Sequence, residues 1–223
     1  MPSKFSFTHY EIEVAARAAI DALSKHGLKA CLVGGAACMM YGMTHRVPND
    51  VDIVVLTEMG QEAIKSLIAS SNSRFYLRSS INPANTFKIL WYTLSYRRSC
   101  KVDILVPGIL SIPKIPVEKI SYRVHGVFYK DIPLAPFLVV LFLKLRAWTD
   151  HRVDHRQHMR DKVGMDEQDI DELFELGAQE YGISLVNQGK WFPKDFVQET
   201  KGRLQEYIKE QPETLGSWRS LGF

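Results

Sequence analysis

The chain has 223 residues, of which 46% are hydrophobic and 24% are charged, and its formal net charge is only +3. That length fits one large domain or a catalytic domain with a smaller partner, and the small net charge argues against polyanion binding over the whole surface. The sequence contains no run of about 18 apolar residues, so we expect no membrane span.

The cysteine pattern bears on the cellular compartment. Cys31, Cys38 and Cys100 have no Cys-x-x-Cys spacing, which argues against a disulfide framework or a structural zinc site. We expect free buried thiols in a reducing compartment. Residues 1–10 contain no apolar signal core, so secretion is not expected. The sequence therefore predicts a cytoplasmic protein.

Helical and strand patterns alternate in the first part of the chain. Thr8 followed by Glu11 predicts a capping box, and the apolar residues after it recur at helical spacing as far as Gly27. We predict further helices over residues 36–41 and 61–70, a turn at Gly34-Gly35, a hairpin turn over 97–99 and a loop over 107–116. Strands are predicted over residues 28–33, 51–56, 74–78, 86–95, 100–106 and 122–129.

After Pro133 the pattern becomes helical. We therefore predict an α/β domain over residues 1–131 and a helical C-terminal segment over 132–223, which either stands apart or packs as one unit with the first. The predicted helices of this segment cover residues 134–150, 167–176, 178–187 and 194–210. The acid-rich run at residues 166–172 is typical of a helix N-terminal turn, where acids favour the helix dipole.

Three aspartates interrupt apolar strands. Asp50 and Asp52 are two residues apart and would project from the same face of a strand. Asp103 lies within another apolar strand, and if the two strands are neighbours the three carboxylates can converge. Close carboxylates raise one another's pKa unless a cation compensates them, and Mg²⁺ or Mn²⁺ would do so with oxygen ligands. The alternative for Asp103 is an edge-strand aspartate paired with Lys101 or Arg98.

The glycine pair lies just upstream of these acids. Gly34 and Gly35 join a predicted strand to a predicted helix. Glycine allows the backbone to approach a ligand closely, and a helix N-terminus offers N–H groups to an anion. A nucleoside triphosphate is the natural anion between such a turn and metal ions. The alternative is an ordinary strand-to-helix turn.

Taken together, these residues resemble the signature of the polymerase-β-like nucleotidyltransferase superfamily. That signature has an apolar residue, a Gly-Gly or Gly-Ser pair, a spacer, an acid-apolar-acid strand and a third acid on a later strand. The version with Gly-Gly, an Arg four residues before the acid pair and a later Lys-Leu-x-Ala helix resembles the branch that holds bacterial abortive-infection toxins and minimal nucleotidyltransferases. The matching residues are Leu32-Val33-Gly34-Gly35-Ala36-Ala37, Gly42, Arg46, Pro48, Asp50-Val51-Asp52-Ile53, Asp103 and Lys144-Leu145-Arg146-Ala147.

The resemblance implies a fold, a reaction and a metal. The fold would be a small mixed α/β sheet flanked by helices, with a C-terminal helical segment. The reaction would move a nucleoside monophosphate from an NTP, with ATP as the expected donor, to an acceptor hydroxyl and release pyrophosphate. Asp50, Asp52 and Asp103 would bind Mg²⁺ or Mn²⁺, and Asp103 would orient or deprotonate the acceptor. The acceptor stays open between a small molecule, a protein side chain and an RNA 3′ end.

The resemblance also implies contacts to the triphosphate. Gly34 and Gly35 would cradle it, and Arg46 and Lys144 would contact its phosphates, although a surface salt bridge or a helix-end cation is the alternative for each of these two. Ala36 replaces the hydroxyl residue that many relatives place after the glycines, so phosphate binding would depend more on the backbone and on basic side chains. A second hypothesis is a catalytically degenerate module that binds nucleotide without transferring it.

A basic stretch covers residues 144–162. Its three histidines would share one face if the stretch were a single helix. Positive neighbours disfavour a metal site there, but the patch would suit RNA or the phosphates of an acceptor. A solvated face is the alternative. The residues are His151, His155 and His158 with Lys144, Arg152, Arg156, Arg160 and Lys162.

Overall fold

The computed structural model describes residues 6–80, 86–122, 131–178 and 182–223. The chain divides into two compact units. The first contains Met1–Met40 and Arg46–Ala135, and the second contains Tyr41–His45 and Pro136–Phe223. The second unit thus takes five residues from the early part of the chain.

The first unit is built on a mixed sheet flanked by helices, as predicted. Its described residues form one five-stranded sheet in the order β1-β2-β5-β4-β3, in which β2 and β5 are parallel and the other neighbours antiparallel. In chain order the elements are α1 (His9–Lys25), β1 (Ala30–Val33), α2 (Gly34–Tyr41), β2 (Asp50–Val55), α3 (Gln61–Ser71), β3 (Phe75–Ser79), β4 (Lys88–Ser95) and β5 (Arg98–Leu105).

Alternation along β2 and β5 gives the sheet its buried and its half-exposed face. Val51 and Ile53 of β2 are buried, and so are Val102 and Ile104 of β5. The residues between them on each strand are half-buried. Because side chains alternate along a strand, the apolar set faces the core and the intervening polar set shares the opposite face.

The predicted capping box at the start of α1 is confirmed. The Glu11 N–H donates to Thr8 Oγ1 at 3.2 Å, and the Thr8 N–H donates to Glu11 Oε2 at 2.9 Å. Gly27 follows the helix with φ of +69°, which glycine adopts without a Cβ penalty. The three cysteines are buried and form no disulfide, as predicted.

Two turns of the first unit differ from the prediction. Gly34 and Gly35 do not precede α2 but begin it. The hairpin turn lies at residues 96–97, because Arg98 already pairs with Ser95 and Arg97 takes the left-handed φ of 60°. The strand predicted over residues 122–129 lies, beyond Tyr122, outside the described residues.

The second unit is helical. Its helix α4 begins after Pro136, later than predicted, because Leu134 instead forms bridges with Leu32 and Ser121 in the first unit. The helix predicted over 178–187 is wrong at residues 182–184, which are not helical; Ser184 there caps a short helix by accepting from the Asn187 N–H. The helices are α4 (Phe137–Val153), α5 (Gln157–Arg160), α6 (Val163–Leu176), α7 (Leu185–Gln188), α8 (Lys194–Glu210) and α9 (Leu215–Ser220).

Aromatic side chains fill the core of the second unit. Trp148 lies edge-on to Tyr207 at 4.8 Å, and Phe174 lies edge-on to Trp218 at 4.6 Å. Such edge-to-face pairs stabilise a core beyond the area they bury. Across the described ranges, no helix has both the length and the apolar content to cross a membrane.

Candidate functional site

The pairing of β2 with β5 brings the three aspartates onto one face. Asp52 lies directly opposite Asp103, and Asp50 lies opposite Lys101. All four are half-buried on the face away from the apolar core. β5 is the middle strand of the sheet, so Asp103 is not an edge-strand residue.

Lys101 neutralises part of this charge. Its Nζ lies 2.5 Å from Asp103 Oδ2, which is the pairing that the sequence offered as the alternative for Asp103. Burial lowers the pKa of Lys101, but the hydrogen bond to Asp103 and the charges of Asp103, Asp50 and Asp52 outweigh it, so the pKa is raised. The amine is therefore a cation that interacts electrostatically with all three aspartates.

The side chains of the three aspartates are not arranged around a common metal-binding point. Within the part of the chain that the structure describes, no three His, Cys, Asp or Glu side chains are placed so that they could hold a metal ion. The backbone register aligns Asp52 with Asp103, but Asp103 turns to Lys101. The carboxylate donors suit Mg²⁺ or Mn²⁺ chemically, and Lys101 contacts one of the two Asp103 oxygens that could ligate the ion.

The glycine pair is fixed by close approaches to the strand that carries the acids. A Cβ on Gly34 would lie 3.0 Å from Asp52 Cγ and overlap Asp52 Oδ2, and Gly34 has φ of +62°. A Cβ on Gly35 would lie 2.9 Å from Pro48 Cβ and 3.3 Å from Arg46 Nη2. The first residues of α2 thus lie against Asp52 and against the segment that leads to it, which a plain turn would not require.

Replacing Gly34 by alanine is expected to destabilise the protein by about 1–3 kcal/mol, because a left-handed φ is unfavourable for a residue with Cβ. The new methyl group would also displace the Asp52 carboxylate. The midpoint of urea denaturation measures the first effect.

Gly202→Ala is the matched control for this substitution. Gly202 is an exposed residue of α8, and a Cβ there meets nothing within 4 Å, so alanine should leave stability unchanged or raise it slightly. Equal stability of Gly34→Ala and wild type would contradict the steric argument.

Lys144 lies in the second unit, within a cluster of acids and a histidine. Its Nζ is 2.6 Å from Asp169 Oδ2, and the other oxygen of Asp169 is 3.0 Å from His45 Nε2. The Asp169 side chain is wholly buried. The phosphate contact of Lys144 stays a prediction.

Glu172 joins the cluster from the same helix. Its carboxylate accepts from the Thr44 N–H at 2.6 Å and from Thr44 Oγ1 at 2.8 Å, and lies 2.5 Å from His45 Nδ1. Burial alone would raise the pKa of Glu172, but the hydrogen bonds from His45 and Thr44 lower it. Both ring nitrogens of His45 therefore face carboxylates. Glu172 fixes the chain immediately before Arg46.

Sequence reasoning missed the role of these acids. It assigned residues 166–172 to a helix N-terminal turn, whereas α6 begins at Val163 and Asp169 and Glu172 lie beyond its first turn. A signal was present, because a lysine on an apolar helix needs an anionic partner. The sequence does not say which acid it is.

The basic stretch is not one helix. α4 ends at Val153 and α5 begins at Gln157, so the condition under which the three histidines would share one helical face is not met. His151 Nδ1 lies 2.5 Å from Asp166 Oδ2. His155 is exposed next to Asp154.

Two arginines of this stretch form ion pairs with acidic residues. Arg152 pairs with Glu206 at 2.6 Å and with Glu210, and Arg156 pairs with Asp154 at 2.7 Å. RNA binding by this stretch stays a prediction, and these acids reduce the positive potential that it would need.

Comparison with known proteins identifies the fold. No family model matches the chain, and no curated protein matches it. A solved structure does: an antigenic nucleotidyltransferase-like protein from Paracoccidioides brasiliensis, at 15% identity and a TM-score of 0.70, with 96% of this chain and 95% of that chain covered. The chain has the nucleotidyltransferase fold. The acids of β2 and β5 and the glycines of α2 are therefore carried on a nucleotidyltransferase fold, as the resemblance implied.

Two more distant structures are both of ANT(2″)-Ia. One is a complex with adenylyl-2″-tobramycin, at 9% identity over 74% of this chain and 94% of that chain, with a TM-score of 0.44. The other, a solution structure of this antibiotic-resistance factor, has 10% identity over 78% and 95%, with a TM-score of 0.41. Similarity at this level supports no argument about substrates.

Proposed function

We propose that this nucleotidyltransferase-fold protein is a metal-dependent nucleotidyltransferase that moves a nucleoside monophosphate from an NTP to an acceptor hydroxyl. The observation that carries the proposal is the parallel register of β2 and β5, which places Asp52 opposite Asp103 with Asp50 on the same face. The close approach of Gly34 to Asp52 supports it, because it brings a helix N-terminus next to the acids.

The glycines and Arg46 would bind the triphosphate. Backbone N–H groups at the start of α2 would donate to the phosphate oxygens, since the first N–H groups of a helix have no partner within the helix. The Arg46 guanidinium, close to Gly35, would add charge-assisted hydrogen bonds. Ala36 supplies no hydroxyl, so these two groups would account for most of the binding.

Asp50, Asp52 and Asp103 would hold the metal. Mg²⁺ or Mn²⁺, once bound, would neutralise charge on the triphosphate and activate the attacking hydroxyl. Asp103 would accept the proton of the acceptor hydroxyl. The acceptor oxygen forms a bond to the α-phosphorus, the bond from that phosphorus to the oxygen bridging to the β-phosphate breaks, and pyrophosphate leaves with the electron pair.

The acceptor would be a small molecule, a protein side chain or an RNA 3′ end. The ion pairs of Arg152 and Arg156 with acids make RNA the least favoured of the three. ATP is the expected donor, and a cytoplasmic location would supply it.

A degenerate module that binds nucleotide without transferring it is the second candidate. The ion pair between Lys101 and Asp103 favours it, because the amine contacts one Asp103 oxygen and its positive charge weakens the carboxylate as a metal ligand and as a base. The two candidates differ in one result, which is whether pyrophosphate is released.

Thermal unfolding with each NTP, with and without Mg²⁺, tests the proposal first. Nucleotide near 100 times its dissociation constant should add ~2.7 kcal/mol, a rise of roughly 5–10 °C in Tm for a chain of this size. Pyrophosphate release from the NTP that stabilises is then measured in pools of small molecules, proteins and RNA.

Each outcome of this experiment has a distinct meaning. Magnesium-dependent stabilisation with pyrophosphate release supports the enzyme, and stabilisation without release in any pool supports the binding module. No stabilisation by any NTP, in a folded sample, would overturn both.

A further inference from the structure

The ion pair of Lys101 is placed where a metal site is proposed. Lys101 is two residues before Asp103 on β5 and opposite Asp50 on β2. Its side chain therefore projects from the same face as all three aspartates. Its Nζ is 2.5 Å from Asp103 Oδ2, and both side chains are about one-third exposed, at 35% and 32%.

The Lys101 amine reduces the electrostatic repulsion between the aspartates. Three carboxylates on one face repel one another when no cation is bound. The Lys101 ammonium offsets that repulsion at the cost of occupying an oxygen of Asp103. A divalent cation on the same oxygen would face both a competing ligand contact and a positive charge a few ångströms away.

We propose that Lys101 supplies positive charge beside Asp103 in the metal-free protein, and that it competes with the divalent cation for this carboxylate. The inference rests on the proposed function, because it takes Asp103 as a metal ligand. It explains why the backbone register aligns the acids while their side chains do not surround one point. A cation that takes the Asp103 oxygen held by Lys101 displaces the amine, and one that takes the other oxygen binds beside a positive charge. In either case Lys101 lowers the metal affinity of the site.

Direct titration with Mn²⁺, followed by the electron paramagnetic resonance signal of the free ion, tests this in nucleotide-free protein. Lys101→Met should bind Mn²⁺ about tenfold more tightly than wild type, because removal of a nearby positive charge and of the competing contact both favour the cation. Lys101→Arg keeps the charge and should stay close to wild type. Lys101→Gln is the replacement if the methionine variant does not fold.

Two further proteins make the test specific. Lys114→Met removes the same charge from a side chain that is 85% exposed and 4.0 Å from Glu58, and should leave Mn²⁺ affinity unchanged. In an Asp103→Asn background, Lys101→Met should increase the affinity much less than tenfold, because the contested oxygen is no longer anionic. Metal-free Lys101→Met should also have a lower Tm than wild type, a readout independent of transfer.

The outcomes separate this inference from the function on which it rests. Equal Mn²⁺ affinity of wild type and Lys101→Met would overturn the proposed competition between Lys101 and the cation for Asp103. An equally large increase in affinity in the Asp103→Asn background would overturn it too. In both cases the metal-dependent function stands. If none of the proteins binds Mn²⁺ even in the presence of the NTP, the metal-dependent function fails, and the inference fails with it.

Discussion

Replacement of Asp52 by asparagine is expected to lower the rate of nucleotidyl transfer at least about a thousandfold, which is roughly 4 kcal/mol of activation free energy. Asp52 lies opposite Asp103 and against the start of α2, so it is next to both a proposed metal ligand and the glycines proposed to bind the triphosphate. The amide keeps the size of the side chain but loses the charge that would hold the metal. Initial rates of pyrophosphate release measure the effect.

Folding of the variant needs its own control. Asp52 is half-buried on the face away from the core, so Asp52→Asn should keep the circular dichroism of wild type and its Tm within a few degrees, while losing magnesium-dependent stabilisation by NTP. Asp21→Asn changes an exposed acid of α1 and should keep the full rate. A folded Asp52→Asn protein with a tenth or more of the wild-type rate would contradict the proposed role.

Replacement of Asp169 by asparagine is expected to destabilise the second unit by about 3–5 kcal/mol, the usual effect of removing one partner of a buried ion pair. Asp169 is wholly buried, and its two oxygens face Lys144 at 2.6 Å and His45 at 3.0 Å. Asparagine removes the negative charge that both Lys144 and His45 face. The free energy of unfolding from urea denaturation measures the loss.

A surface pair provides the comparison for this prediction. Glu206→Gln removes a half-exposed partner of Arg152 and should change stability by less than about 1 kcal/mol. The double variant Lys144→Met, Asp169→Leu should recover part of the lost stability, since apolar groups can replace a buried pair. If Asp169→Asn is as stable as Glu206→Gln, the buried pair does not contribute as argued.

The strands that carry the acids could be predicted because their sequence pattern is local. The alternation around Asp50 and Asp52 and the apolar residues around Asp103 both follow from a period of two. The register that sets Asp52 against Asp103 could not be predicted, because it joins residues about fifty positions apart across a parallel pair. The sequence offers the pairing of Asp103 with Lys101 as an alternative, but the pairing depends on a rotamer choice that the pattern does not decide.

The polar cluster of the second unit could be predicted only in part. A lysine that is buried on an apolar helix needs an anionic partner, and the sequence shows that Lys144 lies on such a helix. The partner, Asp169, lies in a run of several acids, and only the packing of α4 against α6 selects it. The contacts of His45 with Asp169 and Glu172 span more than 120 residues, and no local rule reaches that far.

The early position of Tyr41–His45 in the chain matters for dividing the protein into fragments. These five residues belong to the second unit, where Tyr41 lies edge-on to Phe137 at 5.1 Å and Thr44 and His45 are bound by Glu172. A C-terminal fragment that begins at Pro136 would lack them, leaving Glu172 and one oxygen of Asp169 without these donors. A single cut in the chain therefore does not release a complete second unit. To fold on its own, the unit would need those five residues, either added as a separate peptide or joined to it by circular permutation.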